Sequence, residues 1–142
     1  MKLVDANVLL YAVNTDAPHH DRSRRFLDDA LSGADTVAFA WIALLAFVRL
    51  TTKASLFPNP LTVEQAMDRI DAWLSAAPAV VLSPTPDHTS VLRTLLMSIG
   101  TGGNLVNDAH LGALAIEHRC TVVSFDNDFG RFPAVRWELP PA

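Results

Sequence analysis

Short apolar runs alternate with helical stretches along this chain, and this alternation most constrains its fold. The runs occupy residues 2–5, 36–40, 80–82, 121–124 and 135–139. The continuous apolar character of residues 36–40 is typical of a strand that is covered on both faces. Because parallel neighbours need a crossover, usually a helix, the pattern predicts an α/β fold. We expect a single domain over residues 1–142, with a central, mostly parallel sheet of four to five short strands flanked by helices.

The stretches between these runs carry helix signals. Residues 19–31 form an amphipathic pattern with the arginines on the outer side. Thr62-Val63-Glu64-Gln65 has the form of a capping box, and Asp87 is placed to cap a helix over residues 88–98. The prolines in Leu56-Phe57-Pro58-Asn59-Pro60 predict a break between two helices.

Composition limits the class of protein further. The chain has 142 residues, of which 50% are hydrophobic and 18% are charged, and this balance argues against disorder. The single cysteine, Cys120, lies between a helix and a strand and is expected in the core. The first residues lack a basic leader and a cleavage site, and no long apolar stretch follows. We therefore expect a soluble protein of the cytoplasm.

Four aspartates occupy positions where strands end or a helix begins. Asp5 follows the first apolar run, Asp126 and Asp128 follow the run at residues 121–124, and Asp108 opens a helix. Ligand clefts of parallel sheets lie beyond the carboxyl ends of the strands. The positive end of a helix also favours a carboxylate in its first turn. The sequence therefore predicts that these acids converge, although any one aspartate alone is more often a cap or a solvated charge.

Crowded carboxylates must take up protons, pair with a cation or bind a metal ion. Mg²⁺ and Mn²⁺ prefer oxygen ligands and keep several waters, so aspartates at strand ends suit an open site for such an ion. A bound ion of this kind stabilises the charge that develops on a phosphate during hydrolysis. The acids therefore indicate phosphodiester hydrolysis. A phosphotransfer or phosphatase fold also places acids at strand ends, but no paired acids follow the first strand here.

The charge of the chain bears on its partners. The formal net charge of −4 argues against a nucleic-acid binder, but a metal-bound acid cluster removes part of that objection. Phosphate contacts are then expected from Arg22, Arg24, Arg25, Arg49 and Lys53, each of which is equally well explained as a solvated side chain. Arg49 is also a candidate to pair with an acid of the site. The histidines lack the spacing of a zinc site, and we expect His110 at a surface or an interface.

Several segments together resemble the PIN-domain nucleases, in particular the toxin components of VapBC toxin–antitoxin pairs. They are LVDANVLLYA at residues 3–12, WIALLAFVRLTT at 41–52, FPNPLT at 57–62, GGNLVNDAHLGALAIEH at 102–118 and TVVSFDNDFGRFPAVRW at 121–137. The resemblance covers nearly the whole chain. It is specific through the order and spacing of the segments and not through any one of them.

The resemblance implies a ribonuclease site that depends on Mg²⁺ or Mn²⁺. It assigns Asp5, Asp108 and Asp126 to the metal, with Asp128 as an additional acid, and places Asn7 and Ser124 beside them. From the residues alone, Asn7 is expected either to cap the first helix or to hold a metal-bound water. The resemblance also implies RNA as substrate, a homodimer and a small VapB-type antitoxin that covers the cleft.

One departure from the family pattern affects the expected activity. Ala46 stands where the family usually carries a glutamate. Alanine suits a helix, so the fold is expected to survive, but an oxygen ligand or a water-orienting base is lost. Two functions therefore stay open: a ribonuclease toxin weakened by this change, and a catalytically weak module that binds RNA or an antitoxin without cutting.

Overall fold

Five short strands form one sheet in which every neighbouring pair is parallel. They are β1 (Lys2–Val4), β2 (Val37–Phe39), β3 (Ala79–Val81), β4 (Thr121–Val123) and β5 (Trp137–Glu138), in the order β3-β2-β1-β4-β5. The sheet and its helices confirm the predicted α/β class. The last strand is shorter than the predicted residues 135–139, because the amide of Val135 donates to the carbonyl of Phe132 within a turn.

The computed structural model describes residues 1–55 and 58–142. Its helices are α1 (Ala6–Val13), α2 (His20–Leu31), α3 (Trp41–Thr51), α4 (Val63–Ser75), α5 (His88–Ile99) and α6 (Val106–His118), with 3₁₀ turns at Gly103–Leu105 and Asn127–Arg131. The predicted capping box at α4 forms with both of its hydrogen bonds. The predicted break from Leu56 to Pro60 lies partly outside the described residues. None of the helices among the described residues has the length and hydropathy needed to cross a bilayer.

Alternation along the strands divides the core into two layers. Leu3 of β1 and Val122 of β4 face one side of the sheet and pack with residues of α5 and α6. Val4 and Val123 face the other side and pack with residues of α1 to α4. These four side chains are fully buried, which explains why the strands read as continuous apolar runs and not as alternating ones.

The strand order places a topological switch point between β1 and β4. From β1 the chain continues to β2 on one side, whereas from β4 it continues to β5 on the other. Neighbouring strands with diverging connections leave a crevice at their carboxyl ends, which is where ligands bind in such sheets. The residues that follow these two strands, Asp5 and Ser124, therefore lie at the edge of this crevice.

A hydrogen-bonded chain of polar side chains joins α5 to α6. The Nε2 atom of His88 lies 2.9 Å from Nδ1 of His110, and its Nδ1 atom lies 2.6 Å from Oε2 of Glu117. The other Glu117 oxygen accepts from the amide and the hydroxyl of Thr85 at 2.9 and 2.7 Å. His110 is partly exposed and takes part in this chain, and its expected role at a surface or an interface stays a prediction. Asp87 precedes α5 as predicted, but its side chain makes no capping bond.

Helix α6 approaches the segment before β5 closely at Gly112. A Cβ atom at Gly112 would lie 2.9 Å from a methyl carbon of Val135, which is closer than real Cβ contacts. We predict that Gly112→Ala lowers the free energy of unfolding by about 1 kcal/mol. Overpacking destabilises the folded chain by roughly 1–3 kcal/mol, and the better helix propensity of alanine offsets about 1 kcal/mol of that loss.

The matched test repeats this substitution in a Val135→Ala background, where the opposing methyl groups are gone. There, Gly112→Ala is expected to be neutral or stabilising. Urea unfolding of the four forms measures the coupling between the two positions. An equal loss of stability in both backgrounds would contradict the close contact.

Candidate metal centre

Asp5 joins the ends of β1 and β4. It is the N-cap of α1, where its Oδ1 atom accepts from the amide of Ala6 at 2.7 Å. Its Oδ2 atom accepts from the hydroxyl of Ser124 at 2.7 Å and from Nδ2 of Asn7 at 3.4 Å. Burial raises the pKa of Asp5, the bonds from Ser124 and Ala6 oppose that rise, and the charge of Asp126 adds to it. The Asp5 carboxylate is therefore held in one orientation at the crevice.

Asn7 does not cap α1, contrary to one of its two expected roles, because Asp5 does so. Its Nδ2 atom lies 3.1 Å from the hydroxyl oxygen of Ser124, and its Oδ1 atom accepts from the amide of Phe125 at 3.1 Å. Asn7 thus connects the start of α1 to the loop after β4. The sequence indicated its position in the site but not these bonds, which link residues more than a hundred positions apart.

The loop after β4 turns back on itself through short-range hydrogen bonds. The hydroxyl of Ser124 accepts from the amide of Asp126 at 2.9 Å, and Oδ1 of Asp126 accepts from the amide of Asp128 at 2.9 Å. Asp126 is also the N-cap of the 3₁₀ turn that follows. These bonds fold the segment into a turn and hold Asp126 and Asp128 in place, with a carboxylate oxygen of each within 4.8 Å of the other.

Asp108, Asp126 and Asp128 form the tightest group of acids. Each offers a carboxylate oxygen, and the three oxygens lie within 4.8 Å of one another. All three side chains are partly buried. Asp108 reaches the group from the first turn of α6. Asp5 is not a member of this tightest group but lines the same cleft as Asp108.

The charges of the neighbouring acids act on Asp108. Burial raises the pKa of Asp108 from 3.8 to about 7, and the negative charges of Asp126, Asp5 and Asp128 add to this rise. Near neutral pH the group therefore holds a proton or needs a cation. Several carboxylate oxygens in a crevice are the ligand set that hard divalent ions prefer, so the residues present fit such an ion.

Ala46 lies at the same site. It lines a cleft of about 160 Å³ together with other residues of α1, α3 and α6, namely Asp5, Ala6, Ile42, Ala43, Asn107, Asp108 and Leu111. The methyl group of Ala46 leaves the α3 side of the cleft without an acid. Asn107 was not recognised in the sequence, where its only signal is its place beside Asp108.

Arg49 lies one turn beyond Ala46 on α3 and is exposed. Within residues 1–55 and 58–142 it forms no ion pair with an acid of the cluster. The predicted pairing is therefore absent from the described part of the chain, and a contact with RNA stays a prediction.

Comparisons with known proteins show the family of this chain. The family model of the PIN domain matches residues 2–135. The chain is 61% identical to Ribonuclease VapC37 of Mycobacterium tuberculosis over 142 residues, which cover 100% of this chain and 99% of that protein. It is 38% identical to Ribonuclease VapC25 of the same organism over 141 residues, 99% of either chain.

Solved structures share the fold at lower identity. VapBC2 from Rickettsia felis, bound to a DNA fragment from its promoter, superposes with a TM-score of 0.71 at 22% identity and covers 97% of both chains. VapC20 from Mycobacterium tuberculosis, a toxin that cleaves the sarcin-ricin loop, superposes with a TM-score of 0.69 at 19% identity and covers 96% of this chain and 99% of VapC20. Together with the family model and the 61% identical relative, these likenesses show that the chain belongs to the PIN-domain family and, within it, to the VapC group.

Proposed function

We propose that this chain is a metal-dependent endoribonuclease toxin of a type II toxin–antitoxin pair. The observation that carries the proposal is the convergence of Asp108, Asp126 and Asp128 within 4.8 Å at the carboxyl edge of the sheet. A relative of 61% identity that is named a ribonuclease supports RNA as the substrate. The acids are compatible with both candidate functions, and hydrolysis assisted by a bound divalent ion gives their close approach a chemical use.

The roles of the residues follow from their bonding. Asp108, Asp126 and Asp128 would hold Mg²⁺ or Mn²⁺, with Asp5 as a further acid of the same cleft. When bound, such an ion supplies positive charge that stabilises a phosphodiester under attack and makes water more acidic. Ser124 and Asn7 hold Asp5 in place, and the amide bonds of the loop after β4 fix Asp126 and Asp128. Preorganised carboxylates avoid the cost of ordering at the moment of reaction.

We further propose that the chain dimerises, binds a VapB-type antitoxin and acts in the cytoplasm. The solved VapBC structures concern complexes of related chains. Two large apolar side chains on α3 support a partner surface near the cleft: Trp41 is 47% exposed and Leu45 is 60% exposed. Tryptophan is enriched at protein interfaces, and the buried centre of an interface is more apolar than the rest of the protein surface.

Removing one acid tests the nuclease assignment. We predict that Asp108→Asn lowers the rate of RNA cleavage by about 100-fold or more, since it removes a group that acts in the transition state. Cleavage of total RNA is measured by gel electrophoresis with added Mg²⁺ or Mn²⁺, and in EDTA. Asp71→Asn on the exposed side of α4 is the matched control and is expected to cleave normally. Cleavage that proceeds unchanged in EDTA would remove the metal from the proposal.

Restoring the acid on α3 tests the meaning of Ala46. We predict that Ala46→Glu raises the cleavage rate by roughly 10- to 100-fold, because a carboxylate would enter the cleft beside Asp5 and Asp108. The exposed α4 substitution Ala72→Glu adds the same charge away from the site and should leave the rate unchanged. Equal rates for the unaltered and Ala46→Glu chains would show that the position does not have the family role.

Ala46 also favours the second candidate function, a module that binds RNA or an antitoxin without cutting. This function predicts no metal-dependent cleavage by the unaltered chain, although it still binds labelled RNA in a fluorescence anisotropy assay. Cleavage by the unaltered chain that requires Mg²⁺ or Mn²⁺ would exclude it.

Protons and the metal ion should compete for Asp108. Because its pKa is about 7 in the folded chain, we predict that Mn²⁺ affinity falls as the pH falls from 8 to 6. Binding at pH 6 should release about one proton. Calorimetry in buffers of different ionisation enthalpy measures that release. Asp108→Asn should abolish the proton release, and an affinity independent of pH would contradict the raised pKa.

The same shift sets the stability of the metal-free chain. A carboxyl group with a raised pKa binds its proton more tightly in the folded chain than in the unfolded chain. Its contribution is therefore fully present below pH 3.8 and is lost as the pH rises through about 7. In EDTA, the unfolding temperature of the Asp108→Asn chain should exceed that of the unaltered chain at pH 8, and the difference should shrink at pH 5.

A further inference from the structure

An aromatic stack is built on the loop after β4, which also carries two of the acids. The ring of Phe125, which stands between Ser124 and Asp126, stacks on the imidazole of His19 with ring centroids 4.4 Å apart and an interplanar angle of 11°. The Tyr11 ring is tilted against both, with its centroid 5.4 Å from that of Phe125 and 5.8 Å from that of His19. The loop after β4 therefore carries a flat ring as well as two acids.

The two stacked rings differ in exposure. Phe125 is partly buried and packs against the core layer formed with α1 to α4. His19 is exposed and forms the outer layer. It immediately precedes α2, but its side chain makes no capping bond there, and its ring makes no hydrogen bond to another residue of the described chain. Neither helix capping nor hydrogen bonding therefore explains the position of the His19 ring.

The stack is fixed to the site through the backbone. The amide of Phe125 donates to Oδ1 of Asn7, whose Nδ2 atom donates to the hydroxyl of Ser124. A group that rests on His19 would therefore keep a constant relation to the acids. Arg22 adds positive charge: its guanidinium carbon lies 5.5 Å from the Phe125 ring centroid, and its Nε donates to the carbonyl of Pro140 at 2.6 Å.

We propose that His19, supported by Phe125, is a stacking platform for one unpaired nucleobase of the RNA that is cleaved at the acid cluster, and that Arg22 attracts the adjoining phosphate backbone. The proposal rests on the proposed ribonuclease function and names part of its substrate site. A nucleobase on the outer face of His19 would extend the existing stack by one layer. Stacking of this kind tolerates any base but requires one that is not paired.

The test measures RNA binding separately from RNA cleavage. An Asp108→Asn chain, with Mg²⁺ present, is titrated into a fluorescein-labelled single-stranded RNA and into the same RNA with abasic riboses, and anisotropy is followed. His19→Ala is expected to weaken binding of the base-containing RNA about tenfold. It should have little effect on the abasic RNA. His19→Phe keeps a flat ring and should retain the affinity, whereas His19→Lys places a positive charge there without a ring and should not.

Three outcomes would overturn the platform: no binding of the base-containing RNA with His19 intact, an unchanged affinity in His19→Ala, or an equal loss for both RNAs. A fourth outcome, an affinity in His19→Lys equal to that of the chain with His19 intact, would also overturn it, because the contact would then depend on charge and not on stacking. Thermal unfolding of each variant verifies that it is folded. Failure of the ribonuclease function would appear elsewhere, as an absence of cleavage by the unaltered chain with Mg²⁺ or Mn²⁺.

Discussion

The mutual repulsion of four aspartates is the constraint on which the rest of this structure depends. The fold brings Asp5 and Asp126 to adjacent strand ends and directs Asp108 at them from α6. Burial raises the pKa of Asp108 to about 7, and the charges of the other three acids add to that rise. Carboxylates that lie near one another repel, so hydrogen bonds from the surrounding residues must hold them in place. Here the fixing bonds are those that Ser124 and Asn7 make between the ends of β1 and β4.

This arrangement separates the acids into two kinds. Both oxygens of Asp5 accept hydrogen bonds from the protein, so Asp5 serves the fold and the site together. Asp126 accepts an amide hydrogen bond through Oδ1. Asp108 faces the charges of the other three acids and has a raised pKa, so Asp108 can take up a proton or a cation. Ala46 also lines the cleft, but its side chain makes no bond on which the described fold depends.

Much of this architecture could be predicted from the sequence, since it is local in origin. Each strand is a short apolar run, and the acids follow the runs at residues 2–5 and 121–124, so both the parallel sheet and the candidate cluster could be expected. The bonds of Asn7 to Phe125 and of His88 to Glu117 could not, because they join residues that are distant in the chain and carry no local pattern. The stacking of the exposed His19 ring on Phe125 could not be predicted either, because these residues are also distant in the chain.

Because Asp5 serves both the fold and the site, it would be replaced differently from the other acids if selection acted against the toxicity of such a chain. Replacing Asp5 would remove a helix cap and the partner of Ser124, so it would harm folding as well as activity. Substitutions at Asp108 or at position 46 would silence the site at little structural cost. Attenuated descendants should therefore accumulate substitutions on α3 and α6 first. They should keep Asp5 longest, even after the site has lost its function.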